Sequence, residues 1–212
     1  MIKKNLKKII FTSIVTLLPI IAGLLIWDKL PDEVPTHFGP DGMADGWSSK
    51  PFAVFGMPLM LLGFHLLCIF GSSLDPKHKN INSKMLTLVL WICPVISILV
   101  SSFAFCVSLG YKVNVTAIMM LFVAATFIII GNYLPKCRHN YTVGIKIPWT
   151  LNDEENWDAT HRFAGKLWVI GGVVLGCFSF FKYAWIVFIA VVSIMIIVPF
   201  VYSYLFYKKR NS

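Results

Sequence analysis

The sequence predicts an all-α, polytopic membrane bundle of about six transmembrane helices, with both termini in the cytoplasm. Three observations predict it. First, 57% of the 212 residues are hydrophobic and only 14% are charged, with a mean hydropathy of +0.73. A soluble domain carries about 25% charge to cover its core. Second, the apolar residues collect into six runs, at about 9–27, 52–71, 85–109, 116–134, 167–181 and 184–204. Third, with the N-terminus inside, every Lys and Arg except Lys29, Lys50, Lys112 and Lys182 falls on the cytoplasmic side of those runs, as the positive-inside rule requires.

The first run spans roughly 28 Å at the α-helical rise, close to the hydrocarbon thickness. Lys3, Lys4, Lys7 and Lys8 precede it as in a signal peptide, but no small-residue cleavage site follows, so it is read as an uncleaved helix. The fifth run is short and draws on Ala164, Lys166 and Lys182 at its ends, where Lys side chains can reach the interface. Lys182 and Tyr183 alone separate it from the sixth, which predicts a tight hairpin. Gly171, Gly172 and Gly176 make a small-residue face on the fifth run, suited to helix packing within or between chains. Pro19, Pro58, Pro94 and Pro199 inside the runs are kinks that neighbouring helices can satisfy. The whole of 1–212 reads as one membrane domain, with a structured extracellular loop at 28–51 and a cytoplasmic loop at 135–166.

Charge and cysteine content narrow the function. The net charge of +9 is concentrated at the ends of apolar runs, where it sets topology and meets anionic headgroups; no direct nucleic-acid binding is expected. The five cysteines form no CxxC pair and read as small core residues. No Asp, Glu, Lys or Arg occupies the centre of a run, which argues against an ion-coupled transporter. His65 is the one imidazole inside a run and is expected to bond across helices in its neutral form.

Two segments carry the specific signals. In the outer loop, Pro31, Pro35 and Pro40 stiffen the chain, while Gly39, Gly42 and Gly46 permit turns. Asp32, Glu33, Pro35, His37, Phe38, Asp41, Gly42, Asp45 and Trp47 are its candidate binding residues, with Met43 adding apolar contact. His37, Asp41 and Asp45 could ligate a metal, but no Glu closes a calcium-loop frame, so no metal and no cofactor are expected. In the inner loop, Thr150 followed by Asp153 predicts a helix start, and the helix runs through Trp157 and His161 into the fifth run. Glu154, Asp158, His161 and Arg162 share one face, and Asp158 can pair with Arg162. That face admits an alternative, a membrane-embedded hydrolase or modifying enzyme using His161 and Asp158 with Glu154. A di-metal bundle would need this carboxylate–histidine pattern twice, and it occurs once. Trp149 and Trp157 are expected as anchors at headgroup level.

The inner stretch Asn140-Tyr-Thr-Val-Gly144-Ile-Lys146-Ile-Pro148-Trp149, continuing through Trp157, Thr160, His161 and Arg162 to Gly165-Lys166, resembles the SdpI family of bacterial membrane proteins. Pro35-Thr-His37-Phe38-Gly-x-x-Gly42 resembles the domain of unknown function that often opens family members. The family often has Arg-Thr before Pro-Trp; here Lys146-Ile147 keep the charge and lose the planar donor fork. The resemblance implies a non-enzymatic, multi-pass immunity protein in a bacterial, Gram-positive cell membrane. It would bind a secreted toxic peptide on its outer face and signal by recruiting a cytoplasmic transcriptional repressor on its inner face. Asn140, Gly144, Lys146, Pro148, Trp149, Trp157, Thr160, His161 and Arg162 are the inner candidates it implies.

Overall fold

The computed structural model describes residues 2–81 and 83–210. Its elements are α1 (Ile2–Leu25), β1 (Glu33–Phe38), β2 (Ala44–Ser49), α2 (Met57–Leu74), α3 (Ser83–Ser108), α4 (Val115–Tyr133), α5 (Pro148–Leu151), α6 (Glu154–Phe178) and α7 (Ala184–Arg210). The chain divides into two compact units, Met1–Leu74 with Leu86–Val115, and Asp75–Met85 with Thr116–Ser212.

Among the described residues, five helical stretches are long and apolar enough to cross a bilayer: Ile2–Leu25, Phe52–Leu74, Ser83–Ser108, Val115–Lys136 and Ala184–Arg210. Their outer faces confirm lipid as the solvent. Leu25, Phe64, Leu67 and Ile196 are each more than half exposed, and contiguous apolar surface on this scale does not persist in water.

In the first unit, α1 packs on α2 and α3 through a seam of short polar side chains. Thr12 Oγ1 lies 3.0 Å from His65 Nε2, which is the cross-helix bond expected of that histidine. Thr16 Oγ1 donates to the Thr12 carbonyl at 2.8 Å, and Ser97 Oγ donates to the Thr16 carbonyl at 2.7 Å. Hydroxyls of this kind satisfy themselves on helix carbonyls and so cost little in lipid. Beyond the seam, Leu30, Val34, Ala53, Val54, Met57, Ala104 and Phe105 form an apolar core that holds the β-hairpin against the helix ends.

In the second unit, α6 runs antiparallel to both α4 and α7. Gly165 meets Gly131 of α4, and Gly172 meets Ala124 and Ile128. On the other side, Gly171 meets Val191 and Met195 of α7, while Asn156 bonds Ser203. Five stretches rather than six thus satisfy length and hydropathy, because α6 combines the polar start of the helix with glycine contacts. The predicted fifth run is the later part of α6, and it lies along α4 and α7, which are long and apolar enough to cross a bilayer. Any Cβ at Gly165 or Gly172 would approach a backbone oxygen to 2.7 Å. The small-residue face therefore packs within the chain.

The start of α6 falls three positions later than the expected cap at Thr150. Asp153 is the N-cap, accepting the Glu155 amide at 2.9 Å. Thr150 belongs to the separate turn α5, where its hydroxyl donates to the Ile145 carbonyl at 2.7 Å. Glu154 and Glu155 in the first turn of α6 suit the helix dipole, as do Lys208, Lys209 and Arg210 in the last turn of α7.

Candidate functional site

The hairpin of the first unit builds one candidate site. Strands β1 and β2 pair antiparallel with register shifts around His37. The Gly39 amide donates to the Met43 carbonyl at 2.8 Å, and the Asp41 carboxylate accepts the Met43 amide at 3.0 Å. Gly42 takes φ of 79°, in the left-handed region that glycine enters without strain. Across the ladder, the Thr36 and Ser48 hydroxyls are 2.8 Å apart. Val34 is fully buried and pins the hairpin to the apolar core.

On its other side the hairpin walls a groove of about 860 Å³. Glu33, Pro35, Phe38, Gly42, Met43 and Trp47 line it from the hairpin, and Tyr111, Lys112 and Val113 line it from the segment after α3. Met43, Trp47 and Tyr111 are all more than half exposed there. Five of the nine outer candidates thus converge. The other four do different work. His37 pairs with Asp45 at 2.5 Å, Asp32 lies 3.6 Å from Lys50, and Asp41 closes the turn. The second wall was missed in the sequence. Its signal was available: Gly110-Tyr111-Lys112 joins two apolar runs on the same predicted side as the hairpin.

The inner motif folds in the second unit around Asn140, Trp157 and His161, all essentially buried. Asn140 Oδ1 accepts the amides of Thr142 and Val143 at 2.9 and 2.7 Å, and its Nδ2 donates to the Arg138 and Val143 carbonyls at 2.8 and 3.0 Å. Trp157 Nε1 donates to the Cys137 carbonyl at 2.7 Å. Trp157 is therefore a core residue and not the interfacial anchor expected from its type. His139 crosses it edge-on at 5.0 Å, and His161 stacks on it at 4.0 Å. His161 Nε2 accepts the Ile145 amide at 2.9 Å; Nδ1 then carries the proton and donates to the Trp157 carbonyl at 2.7 Å.

Burial dominates the His161 ring and lowers its pKa from 6.5 to about 4, with His139 adding to the shift; the Trp157 carbonyl and Asp158 oppose it. The folded protein keeps His161 neutral, whereas an unfolded histidine protonates near 6.5. The unfolded chain thus binds more protons between those values. Stability from this group is complete above pH 6.5 and is lost as pH falls toward 4. Protection of the Ile145 amide, its exchange rate taken relative to the intrinsic rate at each pH, is expected to fall from pH 6.5 toward 4, and His161→Gln is expected to flatten the dependence. Equal slopes in both proteins would sink this assignment.

Asp75, absent from the sequence candidates, is a second anchor. Its carboxylate accepts the Tyr141 amide at 2.9 Å and the Thr142 hydroxyl at 2.6 Å. Burial works to raise its pKa, but the Thr142 hydroxyl and the amides of Lys77, Tyr141 and Thr142 outweigh it and hold the carboxyl below its ordinary 3.8. Its titration therefore falls below the His161 window. Nearby, Lys77 Nζ lies 2.6 Å from His139 Nδ1 and 3.8 Å from Glu154.

The remaining motif residues sort by exposure. Thr160 is buried and donates to Asn156 Oδ1 at 2.9 Å. Lys146 is exposed and donates to the Tyr141 and Thr142 carbonyls at 3.2 Å each, so this cation closes the loop on itself. Asp158 and Arg162 are both exposed, and among the described residues no ion pair joins them. Pro148 and Trp149 reach a surface groove beside α7. Glu154, Asp158 and His161 do not converge on an open site: the two carboxylates are exposed, and both His161 nitrogens are held by backbone.

Long lipid-facing helices, a polar loop packed around a tryptophan and a capping hairpin define a multi-pass helical membrane protein. Residues 136–203 match the model of the SdpI/YfhL protein family, and residues 14–62 match a domain of unknown function, DUF1648. The chain is 30% identical over 212 residues to the immunity protein SdpI of Bacillus subtilis (strain 168), covering 97% of this chain and 99% of that one. This chain belongs to the SdpI/YfhL family. No solved structure matches it. The DUF1648 match covers the second half of α1, the hairpin and the start of α2, whereas the SdpI match covers the polar loop, α6 and most of α7.

Proposed function

We propose that this protein guards a bacterial cell membrane by binding a secreted toxic peptide at the hairpin groove, with that groove on the outer face and both termini in the cytoplasm. The observation that carries the reading is the groove itself. Its volume of about 860 Å³ and its exposed Trp47, Met43 and Tyr111 suit the apolar face of an amphipathic peptide. Asp28, Asp32, Glu33, Asp41 and Asp45 outnumber Lys29, Lys50 and the groove-lining Lys112, which favours a basic peptide. The name of the Bacillus relative agrees with immunity as the outcome.

The reading is non-enzymatic. A histidine acting as general base needs its nitrogen lone pair facing substrate, and the only lone pair on neutral His161 is occupied by the Ile145 amide. A signalling role in which a cytoplasmic repressor is recruited would fall to the exposed members of the inner motif, Lys146 and Arg162.

The test is protection of membrane potential in a sensitive Gram-positive host challenged with a permeabilising toxic peptide. Wild type is expected to preserve the potential and leave the peptide chemically unchanged. Trp47→Ala with Tyr111→Ala is expected to lower the protective dose by about tenfold or more, the loss typical of aromatic anchors in a binding site. Protection undiminished in that double variant would remove the groove from the mechanism. Replacement of the five acids by Asn and Gln with protection intact would remove the electrostatic part alone.

A further inference from the structure

Most of the inner motif is consumed in folding the loop, but Pro148 and Trp149 are not. With Asn152, Asp153, Tyr207 and Arg210 they line a groove of about 470 Å³. It lies at the last turn of α7, the end of a stretch apolar enough to cross the membrane. Trp149 sits there among α7 aromatics, with ring centroids 5.1 Å from Phe200, 5.2 Å from Tyr204 and 6.3 Å from Tyr207. Such Trp and Tyr belts mark the depth of phospholipid headgroups.

The groove presents both signs of charge. Arg210 Nη1 bonds Asp153 at 2.9 and 3.0 Å and lies 2.7 Å from Glu155. Its Nε and Nη2 have no protein partner among the described residues. Two carboxylates therefore face one guanidinium that keeps donors in reserve, beside an aromatic wall.

We propose that this groove binds a zwitterionic phospholipid headgroup of the phosphoethanolamine type. The ammonium meets Asp153, Glu155 and the Trp149 and Tyr207 rings, since carboxylates accept its N–H groups and aromatic faces attract its charge. The phosphate meets the remaining Arg210 donors and the Asn152 amide. The acyl chains continue along α7 over exposed Phe200, Val201 and Leu205. A purely anionic headgroup brings no cation for the two carboxylates. A choline headgroup keeps its charge but has lost the N–H donors that they accept. The site is independent of the hairpin groove and of the toxin reading.

Native mass spectrometry of the full chain in detergent tests this, with phosphatidylethanolamine, phosphatidylcholine and phosphatidylglycerol of identical acyl chains. One phosphatidylethanolamine per chain is expected, bound about tenfold tighter than phosphatidylglycerol, with phosphatidylcholine between them. Arg210→Gln is expected to erase the preference. Asn152→Ala is expected to weaken binding severalfold with an unchanged unfolding temperature, because the Asn152 side chain has no hydrogen bond within the protein among the described residues. Displacement by soluble phosphoethanolamine, and not by inorganic phosphate, identifies the headgroup as the recognised part. Equal affinity for the three lipids, a preference for phosphatidylglycerol, equal displacement by inorganic phosphate, or indifference to both substitutions would each overturn the assignment.

Discussion

Trp157→Ala is expected to lower the stability of the second unit by about 3–5 kcal/mol, the usual cost of deleting a buried aromatic side chain. Trp157 is fully buried, and its ring carries two contacts at once, the His161 stack and the edge of His139. Its Nε1 also serves the Cys137 carbonyl. Alanine would leave a cavity and an unsatisfied carbonyl together. Trp157→Phe separates the two effects: it keeps most of the ring and forfeits the bond, so a loss of about 1–3 kcal/mol is expected. The comparison is Trp185→Ala, whose residue is 41% exposed on α7 and should cost less than about 1 kcal/mol. Unfolding in mixed micelles, followed by tryptophan fluorescence and by SDS titration, measures all three. Equal losses for Trp157→Ala and Trp185→Ala would mean that the loop is not built around Trp157.

Gly144→Ala should be nearly as damaging, at about 3–5 kcal/mol, for two additive reasons. The residue takes φ of 131°, in a region that residues with a Cβ rarely enter. A methyl group there would also sit 2.5 Å from His161 Nε2 and 2.8 Å from Trp157. The clash falls on the nitrogen that accepts the Ile145 amide, so the expected signature is early exchange of that amide and a His161 ring that titrates nearer its ordinary value. Gly110→Ala is the control. Its φ is 82° and its surroundings are open, so it carries the backbone strain alone, about 1–3 kcal/mol. If the two substitutions cost the same, the contact with His161 contributes nothing.

These residues also show how much of the protein was legible before folding was considered. The long apolar runs were plain, because the preference of a segment for lipid is nearly a sum over its own residues. Lys and Arg placement predicts their orientation in the membrane by the same local logic. The cross-helix bond of His65 was legible for a related reason: an imidazole in hydrocarbon must find a partner, and Thr12 supplies it. The stiff loop between the first two runs announced itself through Pro31, Pro35, Pro40, Gly39, Gly42 and Gly46. Its strand pairing did not, because register depends on which residues face a core assembled from distant helices.

Other expectations failed where the environment of a side chain is set from afar. Trp157 was expected at the headgroups because tryptophans gather there, but the Cys137 carbonyl, 20 positions earlier, satisfies its Nε1 and lets the ring go inside. For His161, read from its helical neighbours, the sequence did not foretell that the Ile145 amide from the preceding loop bonds its accepting nitrogen. Asp75 was passed over because the partners that tie it to the inner loop lie 66 and 67 residues away. The helix α6 is less apolar than the other long helices because Glu154, Glu155, Asp158, His161, Arg162 and Lys166 precede its apolar part.

The sequence by itself determined that this chain lives in a membrane, where its apolar segments lie, which loops are polar, and, through two motifs, its family. The tertiary structure decided which motif residues are spent on folding and which remain to meet something else. Burial in lipid is a property that each segment carries with it, whereas a hydrogen-bond partner or a groove wall is a property of two segments, and only the folded chain brings the second to the first.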